Sequence, residues 1–194
     1  MKSVGVIIGS IRDNRVGDKV AHWFFEKSGV KKNLNAEILD LKKFNLPFFN
    51  EDVAPMALKG NYSTEEGRHW YNTVKKFDSF VFVTPEYNAG MPASLKNAID
   101  YVYPDWNSKP AVIVSYGFHG GVNSALSLER IITDKSPIKM NLTNTKPKLF
   151  LSKDILNEKG QFKNIDQDFE KYTDEIKKSI EELEELLNTA TANK

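Results

Sequence analysis

Three short clusters carry the residue types that could do chemistry. The richest is TPEYNAGMP, Thr84 to Pro92, between the apolar run Phe80–Val83 and the stretch ASLKNAID. Pro85 and Pro92 fix the backbone, Gly90 permits an unusual φ, and Asn88 offers both a donor and an acceptor. With Tyr87 able to stack or line a pocket, the set suits a flat, polar-edged ring. The second cluster is Gly9 to Val16, GSIRDNRV. Backbone N–H groups at a helix start favour a phosphate. The Ser10 hydroxyl and the guanidinium forks of Arg12 and Arg15 could bind its oxygens. Neither GxxxxGK[ST] nor GxGxxG occurs there, which disfavours a Walker loop and a dinucleotide fingerprint. The third cluster is Ser115 to Gly121, SYGFHGG, whose glycines let a backbone approach a ligand closely. Taken singly, each has a plainer reading: a βα turn with solvated arginines, a core tyrosine, a loop histidine at 119 without chemistry. No serine or acid at a nucleophile elbow accompanies His119. His22 and His69 lack ligand spacing, and the chain has no cysteine, so no metal site is expected.

The elements that must position these clusters follow from the hydrophobic pattern. Val4–Ile8, Ser79–Thr84 and Pro110–Ser115 are near-continuous apolar runs, as in strands buried on both faces of a parallel sheet. Asn35–Leu41 and Lys148–Leu151 read as two further strands. Helical spacing covers residues 14–27, Thr64 to about Lys76, 93–103, Val122–Thr133 and Ile165–Leu187. Thr64 reads as an N-cap, with Glu65 and Glu66 in the first turn. Residues 42–63, rich in Pro, Asn and Gly, read as a long connection. Asn157–Gly160 reads as a turn, and Thr189–Lys194 is expected to fray. Strands alternating with helices predict a doubly wound parallel sheet. With strands 1, 3 and 4 as neighbours, the order is 2-1-3-4-5 and the loops after those strands face one crevice.

The bulk numbers narrow the function classes. A chain of 194 residues is most economically one domain. A formal charge of +1 gives no support for a nucleic-acid binder. It also lacks the acidic excess that steers many small electron carriers. No run approaches the length of a membrane helix, and the N-terminal apolar strand is too short for a signal peptide, so a cytoplasmic protein with no membrane partner is expected.

Together GSIRDNRV, TPEYNAGMPASLKNAIDYVYPDW and KPAVIVSYGFHGG resemble the NADPH-dependent FMN reductase family, which includes quinone, azo-dye and chromate reductases. The likeness runs from about Val4 to Ile132. Arg15 stands where many members have the last serine of GSxRxxS, and so resembles a branch with SxRxxR. The resemblance implies a flavodoxin-like three-layer α/β sandwich holding FMN. Ser10, Arg12, Arg15 and the N–H of Val16 would hold the phosphate. Pro85, Glu86, Tyr87 and Asn88 would line the ribityl chain and one ring edge, and Ser115, Gly117 and Gly120 the other. It also implies a homodimer, or a tetramer built from it, packed through the helices from Ala93 and Val122. Tyr101, Tyr103 and Trp106 would be at the rim of the site.

The implied activity is passage of a hydride from NADPH or NADH through FMN to a small-molecule electron acceptor, by ping-pong kinetics. The chemistry belongs to the flavin, so no catalytic side chain is expected. Two readings compete with it: a flavodoxin-type electron carrier reduced only by a partner protein, and a regulatory module that holds a partner according to the redox state of FMN. Residues 42–63 could supply the partner surface for the latter.

Overall fold

A computed structural model describes residues 1–133 and 136–192. In chain order the elements are β1 (Ser3–Ile8), α1 (Gly17–Lys27), α2 (Val30–Asn33), β2 (Asn35–Asp40), α3 (Leu41–Phe44), α4 (Pro55–Leu58), α5 (Glu65–Lys75), β3 (Ser79–Pro85), α6 (Ala93–Asp100), β4 (Pro110–Gly117), α7 (Val122–Ile132), β5 (Asn141–Leu142), β6 (Lys148–Phe150), α8 (Ile165–Phe169) and α9 (Thr173–Ala192). The sheet is parallel in order β2-β1-β3-β4-β5, as expected, and β6 also pairs β4. The fifth position is thus built from two pieces. Asn141–Leu142 escapes sequence reading because two residues show no period.

Alternation along the central strands splits the core in two. Ile7, Phe80, Phe82, Ala111 and Ile113 face one layer with Trp70, Leu95, Ile99 and Trp106. Val4, Val6, Ile8, Val81, Val83, Val112, Val114 and Tyr116 face the other, with Phe24 of α1 and Ile176, Ile180 and Leu183 of α9. Burial on both faces is why these strands read as unbroken apolar runs.

Several boundaries differ from the sequence reading. Helix α1 begins at Gly17, so residues 11–16 remain a loop. Leu41 opens α3 rather than closing β2, because the Asp40 carboxylate caps the N–H of Lys42. Thr64 does cap α5, accepting from Gly67 N–H at 3.1 Å. Strand β4 runs on through Gly117, since Tyr116 and Gly117 pair with Leu149 and Phe150. The stretch read as one helix over 165–187 breaks into α8, a 3-10 turn at Glu170–Tyr172, and α9. Helix α9 continues through Ala192, with Thr189 Oγ1 donating to Glu185 O, so the expected fraying from Thr189 is not seen up to there. Residues 193 and 194 lie outside the described residues.

The connection 42–63 is strapped to α6. Asn97 accepts from Phe49 N–H and donates to Pro47 O, and the Tyr101 hydroxyl donates to the same carbonyl. The Tyr62 hydroxyl in turn donates to Tyr101 O.

The rim expected from Tyr101, Tyr103 and Trp106 is not found. Tyr101 and Trp106 are buried in the core, and only Tyr103 is half-buried. Trp106 packs edge-on against Phe80 with centroids 4.8 Å apart and donates its indole N–H to Ile99 O. Trp106→Ala should therefore cost about 3–5 kcal/mol of stability in urea unfolding, while Tyr103→Ala should cost far less.

Candidate functional site

The strand order reverses between β1 and β3, and open α/β sheets bind ligands at such a switch point. There the loops after β1, β3 and β4 line a cleft of about 310 Å³. Its walls include Arg12, Arg15, Val16, Pro85, Glu86, Tyr87, Asn88 and Gly117, so most of the sequence-derived site is gathered in one place. Ser10, Ser115 and Gly120 are not on its walls; all three are buried beneath. Tyr116, Phe118, His119 and Leu151 complete the lining. Phe118 and His119 are exposed. A wall residue as far along the chain as Leu151 could be found only from the β4–β6 pairing.

The first loop is held by bonds among its own polar residues and their neighbours. Ser10 Oγ lies 2.7 Å from the Tyr87 hydroxyl, tying it to the loop after β3. The Arg15 guanidinium donates to Ser10 O at 2.9 Å and to Asp40 Oδ2 at 2.6 Å. Asp13 pairs with Lys42 at 2.6 Å, which holds the Asp13 carboxyl below its usual range. Asn14 donates to Lys159 O and accepts from Gln161, fastening the loop to the expected turn at 157–160. Among the described residues, Arg12 makes no ion pair; its guanidinium lies 5.9 Å from the centre of the Tyr87 ring. Val16 at the N-cap of α1 offers no side-chain acceptor, and among the described residues no side chain accepts from the N–H of Gly17, Asp18 or Lys19. Val16 at this helix start and the exposed Arg12 both lie on the cleft wall, while Asp18 puts a carboxylate in the first turn of the 11-residue helix. Gly17 is required because a Cβ there would lie 2.2 Å from the Tyr116 hydroxyl. Burial raises the pKa of that hydroxyl and keeps it neutral.

The loop after β3 makes a tight turn. Tyr87 and Gly90 exchange N–H···O bonds of 2.9 and 3.0 Å, with Asn88 at φ 49° and Ala89 at φ 59° between them. Positive φ at both central residues is the type I′ pattern. The unusual backbone expected of Gly90 thus falls on Asn88 and Ala89. Asparagine tolerates it; alanine is strained by about 1 kcal/mol.

The loop after β4 uses its glycines differently. Ser115 Oγ donates to Gly120 O at 2.7 Å, and Gly120 and Gly121 both have φ 68°. A Cβ on Gly120 would strike the Phe150 ring at 2.8 Å. Those two glycines are demanded by the fold. Gly117 is not: its φ is not positive, and a Cβ would find its nearest neighbour at 3.5 Å. It is nonetheless a glycine on the cleft wall, as expected where something outside the chain must come close.

Glu86 has a duty that sequence reasoning missed. Its carboxylate accepts from Asn123 N–H at 2.9 Å and from the Asn123 side chain at 3.0 Å, and so caps α7. The Asn123 side-chain bond, then the N–H groups of Asn123 and Ser124 and the nearby His119, hold its carboxyl below the usual range.

A parallel sheet in order β2-β1-β3-β4-β5 with a cleft at its switch point is a flavodoxin-like fold. A family model for NADPH-dependent FMN reductase matches residues 2–141. An NAD(P)H-dependent FMN reductase of Schizosaccharomyces pombe is 35% identical over 184 residues, covering 95% of this chain and 90% of the relative. A quinone reductase of Pseudomonas putida is 32% identical over 149 residues, covering 71% and 74%. The fold matches that of a flavoenzyme NAD(P)H:(acceptor) oxidoreductase from Paracoccus denitrificans, with TM-score 0.67, 20% identity and coverage of 93% and 98%. The chain belongs to the NADPH-dependent FMN reductase family, a family of oxidoreductases whose cofactors are FMN and NAD(P)H.

The cap gives a pH-dependent prediction. Because folding lowers the Glu86 carboxyl, its contribution is present at neutral pH, above the ordinary carboxylate value, and is lost as pH falls through the folded value. Glu86→Ala should cost about 1 kcal/mol at pH 7. The gap between variant and parent urea midpoints should shrink as the pH is lowered below the ordinary carboxylate range.

Proposed function

We propose that the chain is an FMN-containing NAD(P)H-dependent oxidoreductase that reduces quinones, free flavin, azo compounds or similar small acceptors. The observation that carries this reading is the uncapped start of α1 beside the unpaired Arg12, at one end of a cleft that runs up to Gly117. A phosphate fits the first and a ring edge the second. Arg12 and the N–H groups from Val16 onward hold the phosphate. Pro85, Tyr87 and Asn88 line one side of the ring and ribityl chain, and Gly117 the other, with its backbone close to the ring edge. Ser10, Ser115 and Gly120 shape these loops from beneath.

FMN, when bound, would supply the hydride chemistry between NAD(P)H and the acceptor. The protein's own residues bind and orient, and none of them is assigned as an acid or base. One cleft would admit nicotinamide and acceptor in turn, which would give ping-pong kinetics.

The dimer faces are α6 and α7. Between them lies an apolar groove of about 460 Å³ that includes Ile99, Val102, Ile131 and Ile138. The protein works in the cytoplasm as one domain. Among the described residues no helix is long and apolar enough to cross a membrane.

The first test is the visible spectrum of the purified protein, followed by anaerobic titration with NADPH and then NADH. Bound FMN bleached by either nucleotide without a partner protein is expected, with parallel double-reciprocal plots against a quinone. A colourless protein that takes up no FMN would overturn the reading. Retained flavin that neither nucleotide bleaches would favour a carrier. In a second test, Arg12→Ala should weaken FMN binding about 10- to 100-fold at matched salt. Riboflavin affinity, and the hydride-transfer rate of FMN-saturated protein, should barely change.

A further inference from the structure

Arg15 occupies the position in the first loop that the family resemblance gives to the phosphate. Its surroundings give it other work. Its side chain and that of Asp40 are 9% and 11% exposed, and they meet at 2.6 Å. The other arm of the guanidinium holds Ser10 O, while the Ser10 hydroxyl holds Tyr87. Asp40 is itself fixed, because its second oxygen caps Lys42 N–H at the start of α3. Turning Arg15 onto a ligand phosphate would leave a nearly buried carboxylate unpaired beside a second anion. Removing one partner of a buried pair in this way is strongly unfavourable.

We infer that Asp40, Arg15, Ser10 and Tyr87 form a brace across the mouth of the sheet, from the end of β2 through the loop after β1 to the loop after β3. Arg15 is a positioning residue: it sets the height of the phosphate loop and does not ligate the phosphate. Asp40 and Arg15 cancel one another, as do Asp13 and Lys42. Of the loop's own side chains, Arg12 is left as the cation that meets the ligand. The inference rests on the FMN reading above and adds Asp40, a residue that reading does not use.

The sign of the Asp40 effect decides between brace and ligand. If Arg15 bound the phosphate, neutralising Asp40 would free the guanidinium and remove a competing anion, so FMN would bind as tightly or more tightly. If Arg15 braces the loop, neutralising Asp40 releases it and FMN binds more weakly. The test measures FMN and riboflavin affinity, by quenching of flavin fluorescence, for the parent, Asp40→Asn, Arg15→Gln and the double variant, with a thermal melt of each. Asp40→Asn keeps the shape and the oxygen that caps Lys42.

We expect each single variant to lose about tenfold in FMN affinity, in the range of residues that orient a ligating shell. Riboflavin affinity should change little, and the double variant should be no worse than the weaker single. A general loss of stability would lower both affinities together and leave their ratio unchanged. Asp40→Asn binding FMN at parent strength or better, or losses that add in the double variant, would overturn the brace. Should Asp40→Asn fail to fold, Asp40→Glu serves in its place: a loss confined to FMN supports the brace and unchanged affinity overturns it. A parent protein that binds riboflavin as tightly as FMN would instead remove the phosphate site and with it the functional reading.

Discussion

The parallel pairing of β1 with β3, from Val4 beside Ser79 to Ile8 beside Val83, is the constraint on which the molecule depends. The chain leaves these two strands at the same level, and Gly9 N–H still donates to Val83 O one residue beyond β1. Two loops from distant parts of the sequence therefore emerge side by side, close enough for Ser10 and Tyr87 to share a hydrogen bond. A slip of one residue would exchange the faces of Val81 and Phe82 and part the loops. Burial on both sides of the sheet forbids that slip, since the valine side receives α1 and α9 and the phenylalanine side receives Trp70 and Trp106.

Much of this was legible in the sequence. The central strands announced themselves as apolar runs, and their alternation with helices gave the doubly wound class; the order needed the further premise that strands 1, 3 and 4 are neighbours. The loops at the switch point carried residue types that connecting turns rarely need. Less legible was the division of labour within them. Ser10 and Arg15 looked like Arg12 on paper, because a polar side chain in a phosphate-type loop carries no mark of whether it faces a ligand or a neighbour. Asp40, which engages Arg15, lies 25 positions away at the end of another strand. The family resemblance implies that Glu86 lines the ribityl chain and ring edge; it does stand on the cleft wall, but its carboxylate turns to the start of α7. The resemblance implies Trp106 at the rim, yet its indole N–H finds a carbonyl inside the core. For Ser10, Arg15 and Glu86 the deciding partner is far away in sequence.

The glycines of the third loop show the same contrast. Gly120 and Gly121 answer to backbone angle and to the Phe150 and Tyr116 atoms around them. Gly117 has neither demand. All three look identical as letters, and only the space around each separates a glycine that makes a turn from one that leaves room.

The fifth position of the sheet bears on how molecules of this chain behave in one another's company. A long open strand at a sheet edge invites another chain to pair with it. Here the edge is broken into two- and three-residue pieces, β5 and β6. Between them the chain leaves the ladder at Thr145, whose N–H and hydroxyl are both taken by Glu182 of α9. Pro147, just before β6, has no N–H to offer. A stray strand approaching this edge would find no continuous row of donors and acceptors to zip along. The interruption that hid β5 from sequence reading also guards that edge against aggregation.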